Sequence, residues 1–252
     1  MREPVSVCLA LYNGEKYITE QIDSILSQLD HIEDELIIID DCSSDSSVEI
    51  INSYNSSYIH LYQNDRNMGY IKTFEKAICI SKNSIVFLSD HDDIWVEGRL
   101  NKMYDKLQEA DNWLVCSNFE TFNNKGESKV RFKTKLIQSK PEKFTRNILS
   151  IFKGNIAYFG CTMAFRKELK NYIIPFPDYI DAHDLWISMT GNVLKKVVHL
   201  EDITILHRIH DNNTSFVQRD FYKKLYTRFL FLKTLIDAYK RKRMNNIQIK
   251  KK

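Results

Sequence analysis

Ile85-Val86-Phe87-Leu88-Ser89-Asp90-His91-Asp92-Asp93 is an apolar run that breaks, after one serine, into three carboxylates. The run reads as a buried strand, and carboxylates crowded at its end repel one another. A hard divalent cation offsets that repulsion, and Mg²⁺ or Mn²⁺ takes oxygen ligands together with phosphate oxygens. An acidic turn that caps a helix is the plainer alternative for the same residues.

The same grammar repeats upstream. Val5–Leu11 is a short apolar run, and Ile18, Ile22, Ile25, Leu26 and Leu29 follow at helical spacing. Leu36–Ile39 is a second buried strand that stops at Asp40-Asp41, with Ser43 or Ser44 as a cap for a helix towards Tyr54. Tyr58–Tyr62 is a third strand, and Ile71, Phe74, Ala77 and Ile78 mark the next helix. Past the acidic cluster, Leu100, Met103 and Leu107 predict a helix, and Trp113–Cys116 a strand. Strand and helix alternate over about the first 118 residues, which predicts an α/β fold with a mostly parallel sheet flanked by helices. Ligands bind beyond the carboxyl ends of such strands. Tyr12-Asn13, Asp40-Asp41 and Asp90 to Asp93 all fall there.

The second half is less regular. The pattern predicts a polar hairpin over Phe119–Phe132, a strand over Phe159–Phe165, a helix over Ala182–Leu194 and a returning strand over Val197–Leu206. A long helix rich in aromatics is expected over Phe216–Tyr239. The implied division is 1–215 for the main domain, with 1–118 and 119–215 as its halves, and 216–252 for a basic amphipathic tail.

The 252 residues suffice for one large domain with a proper core. The five cysteines are widely spaced, with no CxxC pair, so neither a zinc knuckle nor a disulfide framework is indicated. No leader and no membrane span is expected, and the location predicted is cytoplasmic, with the inner membrane face as a docking option. The net charge of +3 hides an asymmetry. Gln218–Lys252 carries 12 Lys/Arg against Asp220 and Asp237, which leaves the rest of the chain at −7. A general nucleic-acid binder would carry its basic charge on the folded body, so no nucleic-acid partner is expected. The absence of GxGxxG and of GxxxxGK[ST] argues against a dinucleotide dehydrogenase and a P-loop NTPase.

Six segments, in order, resemble family 2 glycosyltransferases of the GT-A fold, especially bacterial rhamnosyltransferase-like members. They are Val5 to Ile18, Ile37-Ile-Ile-Asp-Asp-Cys-Ser-Ser-Asp45, Asn67-Met-Gly69, Phe87-Leu-Ser-Asp-His-Asp-Asp-Ile-Trp95, His183-Asp-Leu-Trp186 and His207-Arg-Ile-His-Asp-Asn-Asn-Thr-Ser215. The resemblance implies a Rossmann-like nucleotide-binding sheet and an inverting transfer of a sugar from a nucleotide-diphosphate donor, of UDP or dTDP type, to a saccharide acceptor. It further implies a role in bacterial surface polysaccharide (capsule or O-antigen) synthesis, with an acceptor that can be polyprenyl-diphosphate linked. Carried over by position, Ala10, Tyr12 and Glu15 surround the nucleoside, and Asp41 meets the base. Asp90 lies near the ribose and donor sugar. Asp92 leads the binding of Mn²⁺ or Mg²⁺, with Asp93 in support.

Asp184 matches the family's general base, and a carboxylate beside the acceptor hydroxyl suits that task. Without the resemblance it would read as a solvated helix residue. Lys72, Arg208 and His210 are candidates to offset diphosphate charge. Trp95 and Trp186 fit either the sugar cleft or the core. The tail fits an anionic membrane surface, self-association or packing on the body. The competing functional reading is a non-catalytic nucleotide-sugar-binding protein of the same fold. A sugar nucleotidyltransferase would need a Gly-rich phosphate loop, and an HD phosphohydrolase an all-helical fold. A processive synthase would need membrane spans.

Overall fold

The computed structural model describes residues 2–123, 136, 143–210 and 221–249. Among the described residues eight strands form one sheet: β1 (Val5–Leu11), β2 (Glu35–Asp40), β3 (Ile59–Gln63), β4 (Ile85–Asp90), β5 (Ile94–Trp95), β6 (Leu114–Phe122), β7 (Met163–Arg166) and β8 (Val197–Arg208). The helices are α1 (Ile18–Leu26), α2 (Ser47–Asn52), α3 (Tyr70–Ile80), α4 (Arg99–Gln108), α5 (Phe144–Lys153), α6 (Lys170–Ile173), α7 (His183–Leu194) and α8 (Phe221–Ile249).

The sheet order is β3-β2-β1-β4-β7-β6-β8-β5. The first four strands in that order are parallel, as the alternating pattern predicts. The expected parallelism stops there: β7 runs antiparallel to both β4 and β6, while β6 and β8 pair in parallel. The chain leaves β1 towards β2 and β3, then crosses back to place β4 on the other side of β1. That reversal opens a crevice at the carboxyl ends of β1 and β4, the usual ligand position in such sheets.

Each central strand is buried along its length because both sheet faces are covered. Val7, Leu9 and Leu11 join one apolar cluster with α1 and α4 residues such as Ile22 and Met103. The intervening Cys8 and Ala10 join the other, with Phe74 of α3 and Trp186 of α7. Period-two alternation thus divides one apolar run between two cores.

Several boundaries differ from the sequence expectation. Helix α2 begins at Ser47, and neither Ser43 nor Ser44 caps it, because both serines instead hold the loop after β1. The strand expected at Phe159–Phe165 starts only at Met163, after a 3₁₀ turn over Gly160–Thr162. The strand at Trp113–Cys116 extends to Phe122, where the sequence suggests a hairpin; that hairpin beyond Asn123 lies outside the described residues. Trp95 and Trp186 are core residues, 3% and 0% exposed, and their indole N–H groups donate to Ser89 Oγ and to the Ile173 carbonyl. The boundary at 215/216, Phe216 and the Lys250–Lys252 end lie outside the described residues.

Candidate active site

The loops after β1 and β2 are laced together. Asn13 N–H donates to Ser43 Oγ, Gly14 N–H to Ser47 Oγ and Glu15 N–H to Asp45, while Glu15 Oε2 accepts from Ser46 N–H. Gly14 has no room for a side chain: a Cβ there would lie 2.6 Å from the His91 ring. This fixes Tyr12, 47% exposed, at the mouth of the crevice, and Ala10 stands in register with Asp90. Both oxygens of Asp41 are engaged, by the Asn64 side chain and by the N–H groups of Met68 and Gly69, each at 2.8 Å. Asp41 therefore shapes the Asn67-Met68-Gly69 turn, where Gly69 takes φ 81° just before α3.

The carboxylates at the end of β4 occupy different surroundings. Asp90 is partly exposed, and burial together with Asp93 and Asp92 pushes its carboxyl well above the usual range. Asp92 is held 2.8 Å from His210 Nε2; burial opposes ionisation, but His210, His91 and His207 keep its carboxyl below the ordinary range. His210 in turn stacks on Tyr17 at 5.1 Å. Asp93 is fully buried, and its Oδ1 accepts from Arg208 N–H and pairs with His207 Nδ1 at 2.8 Å. Burial disfavours the His207 cation, yet Asp93, Asp90 and Asp92 raise its pKa to about 9.

Arg208 joins these parts. Its Nε donates to the Asp92 carbonyl and its Nη2 to Glu20, and the guanidinium lies 4.8 Å from the Tyr17 ring and 4.5 Å from that of Phe122. Beneath them, Arg99 is wholly buried, donating to Thr204 Oγ1 and to the Cys161 carbonyl and covering Trp95. Burial lowers its pKa to about 9, against the pull of Cys161 and Asp93. Glu20, Arg99, Cys161 and Tyr17 carry no sequence signal that would have assigned them here. His207 opens the segment His207–Ser215, whose pattern alone gives it no role.

Two donor sets are available to a divalent cation. The ligand atoms of Asp93, Cys161 and His207 lie within 4.8 Å of one another, and Asp93 Oδ2 and His207 Nε2 are buried without a hydrogen-bond partner. That set is enclosed and includes a thiol, a poor match for Mg²⁺ or Mn²⁺. Asp92 with His210, next to the partly exposed Asp90, offers oxygen and imidazole donors at the crevice and fits such a cation better.

Asp184 lies in the first turn of α7 and is close enough to Asp90 to raise its pKa. Burial pushes the Asp184 carboxyl up to about 6, although N–H groups of Leu185, Gly160 and Asp184 itself favour the ionised form. Its neighbour His183 is buried and stacks on Phe74 at 4.3 Å, with neither ring nitrogen hydrogen-bonded. Gly160 makes space for that ring, since a Cβ there would stand 2.4 Å from Nε2. Lys72 is held elsewhere: Glu75 and Asp178 pair with it at 3.0 and 2.9 Å, and it makes no described contact with Asp90, Asp92 or Asp93. An apolar cavity of about 180 Å³ adjoins Leu185, between α5, α7 and α8.

The profile named Glycosyl transferase family 2 matches residues 6–173, from β1 through β7 to the end of α6. The chain belongs to this family. An uncharacterised glycosyltransferase of Rickettsia typhi is 26% identical over 234 residues, covering 90% of this chain and 71% of the relative. A UDP-Glc:α-D-GlcNAc-diphosphoundecaprenol β-1,3-glucosyltransferase of Escherichia coli is 27% identical, covering 73% of this chain and 69% of the relative. The poly(ribitol-phosphate) β-glucosyltransferase of Bacillus spizizenii is 29% identical, over 76% of this chain but 30% of the relative. S. aureus TarS solved with UDP-GlcNAc superposes with a TM-score of 0.70 at 22% identity, covering 94% of this chain and 72% of the other. That likeness shows the GT-A fold.

Proposed function

We propose that this family 2 glycosyltransferase transfers a sugar, with inversion, from a uridine or thymidine diphosphate donor to a saccharide acceptor carried on a lipid diphosphate, in the building of a bacterial surface polysaccharide. The observation that carries the reading is that Asp184, with a pKa near 6, lies near Asp90 and so beside the Asp90–Asp92–His210 group. A base of that pKa is ionised at neutral pH and still basic enough to accept a proton.

In this reading the acceptor hydroxyl attacks C1 of the donor sugar and its proton passes to Asp184. The bond from C1 to the diphosphate oxygen breaks on the opposite face, and the electron pair leaves with the nucleoside diphosphate. Asp92 and His210 would hold Mn²⁺ or Mg²⁺, which when bound offsets charge on the leaving phosphates. Arg208, anchored by Glu20 and the Asp92 carbonyl, orients this group from behind. Tyr12 and Glu15 line the nucleoside end, and Ala10 floors it. Residues 1–215 form the catalytic domain and 216–252 the tail.

The relatives support the acceptor class, since the E. coli enzyme's name specifies a diphosphoundecaprenol-linked sugar and that of B. spizizenii a poly(ribitol-phosphate). The apolar cavity beside Leu185 suits the lipid end of such an acceptor. The TarS complex supports a uridine donor, and the rhamnosyltransferase-like resemblance a thymidine one. The test is transfer from UDP-Glc, UDP-GlcNAc and dTDP-rhamnose to GlcNAc-diphosphoundecaprenol, with the product anomer read by NMR. An inverted linkage from one donor supports the proposal. A retained linkage, or no transfer from any donor by protein that binds the nucleotide, would overturn it.

A further inference from the structure

Helix α8 is apolar on two sides. Its inner side packs on the body: Leu230, Thr234 and Ala238 are buried, and Phe231 and Leu235 join the core that contains Trp186. Polar bonds fasten the same side, from Arg241 to the Tyr172 and Pro175 carbonyls and from Lys242 to that of Val193. The body therefore satisfies one face only.

The outer side exposes Phe229, Leu232, Ile236, Tyr239, Met244 and Ile247, each 47–63% exposed, and Tyr226 extends the ridge. Spacings of three and four between most of them keep them on one face. Arg228, Lys233, Lys240 and Arg243 are exposed along its flanks, Arg228 beside the Phe152 ring and Lys233 over that of Tyr179. Asp237 is the sole carboxylate from 226 to 247; it accepts a hydrogen bond from Tyr179 and lies 3.5 Å from Lys240 Nζ. Every exposed residue described from 226 to 247 is thus either apolar or basic.

We infer that the outer face of α8 docks on an anionic bilayer surface, with the apolar ridge in the headgroup–acyl boundary and the four basic residues on acidic headgroups. A charge pattern of one sign decides between occupants. A second copy would bring two strongly basic faces together, each with Asp237 as its one carboxylate and that already beside Lys240 and Tyr179, whereas acidic lipid complements them. Apolar area plus attraction to anionic lipid is the combination that holds a helix in the interface. Among the described residues no helix is long and apolar enough to cross a membrane. Docking through α8, which packs along α7, would leave the acceptor end of the crevice near the bilayer. The inference adds a surface to the proposed transferase but does not depend on its chemistry.

The test is flotation of the full chain with phosphatidylcholine vesicles, with and without phosphatidylglycerol. Binding is expected only with phosphatidylglycerol, and should weaken with salt. Lys240→Gln with Arg243→Gln should weaken it about fivefold per charge. Phe229→Ser with Ile236→Ser should abolish it while circular dichroism and UDP affinity stay at wild-type values. Equal binding to neutral vesicles, or none to either, would overturn the inference. So would a dimer in light scattering that Ile236→Ser disperses without vesicle binding by the wild type. UDP affinity, read separately by calorimetry, tells failure of this surface from failure of the transferase reading.

Discussion

His210 Nε2 lies 2.8 Å from Asp92 Oδ2, a contact that joins the end of β4 to the end of β8 across 118 residues. In the proposed reading the two side chains would share one cation. His210→Ala should lower the affinity for UDP in Mn²⁺ by about tenfold or more, the range seen when a metal site loses a supporting group. Without Mn²⁺ the two proteins should bind UDP alike. Equal loss with and without metal would show that His210 touches the nucleotide directly instead.

Asp184→Asn should reduce transfer by about 10²–10⁴-fold with donor affinity kept, as expected when a general base is removed. In the wild type the acidic limb of the pH–rate profile should fall near 6, since the base works ionised and is lost as pH drops through that value. Stability runs the other way. The folded-state pKa is raised above the unfolded value, so the neutral form is favoured and stability declines as pH rises from about 4 to 6. Asn mimics the neutral form and should stabilise the protein at neutral pH by on the order of 1 kcal/mol, read as an increase in Tm. Loss of both activity and stability would contradict this.

Gly160→Ala should impair transfer without touching any ligand. Its Cβ would push on His183 Nε2, and the His183 ring is wedged against Phe74 beside the base. We expect kcat to fall while UDP affinity holds, measured by steady-state kinetics and calorimetry. Unchanged kcat would mean that the ring moves freely.

The fold was legible where the physics is local. The β1 and β4 runs are apolar enough to require burial on both faces, so the parallel half follows from pattern. The antiparallel β7 was harder to place, because a four-residue strand preceded by a 3₁₀ turn has no period to detect. At the site, the resemblance points to Asp90, Asp92, Asp184 and His210 as candidates, and the structure brings Asp92 to His210 and Asp184 near Asp90. The supports are not among them: Arg99 looks like an ordinary helix arginine, and only the sheet brings Thr204 and the Cys161 carbonyl to it. Asp41, expected at the base, also holds the Asn67-Met68-Gly69 turn through both oxygens, a task its place after a strand does not reveal.

Arg99→Ala should destabilise the protein by about 2–5 kcal/mol, the cost of a cavity beside Trp95 and of a buried Cys161 carbonyl left without its donor. Urea unfolding measures it; a change within about 0.5 kcal/mol, as at ordinary surface positions, would contradict a central role.

The measurement closest to the central claim is calorimetric binding of UDP, dTDP and GDP, each with and without Mn²⁺, to the wild type and to Asp92→Ala. The predicted result is metal-dependent binding of UDP or dTDP by the wild type that the substitution removes. No binding of any of the three by folded wild-type protein would contradict the assignment of the crevice to a nucleotide-sugar donor.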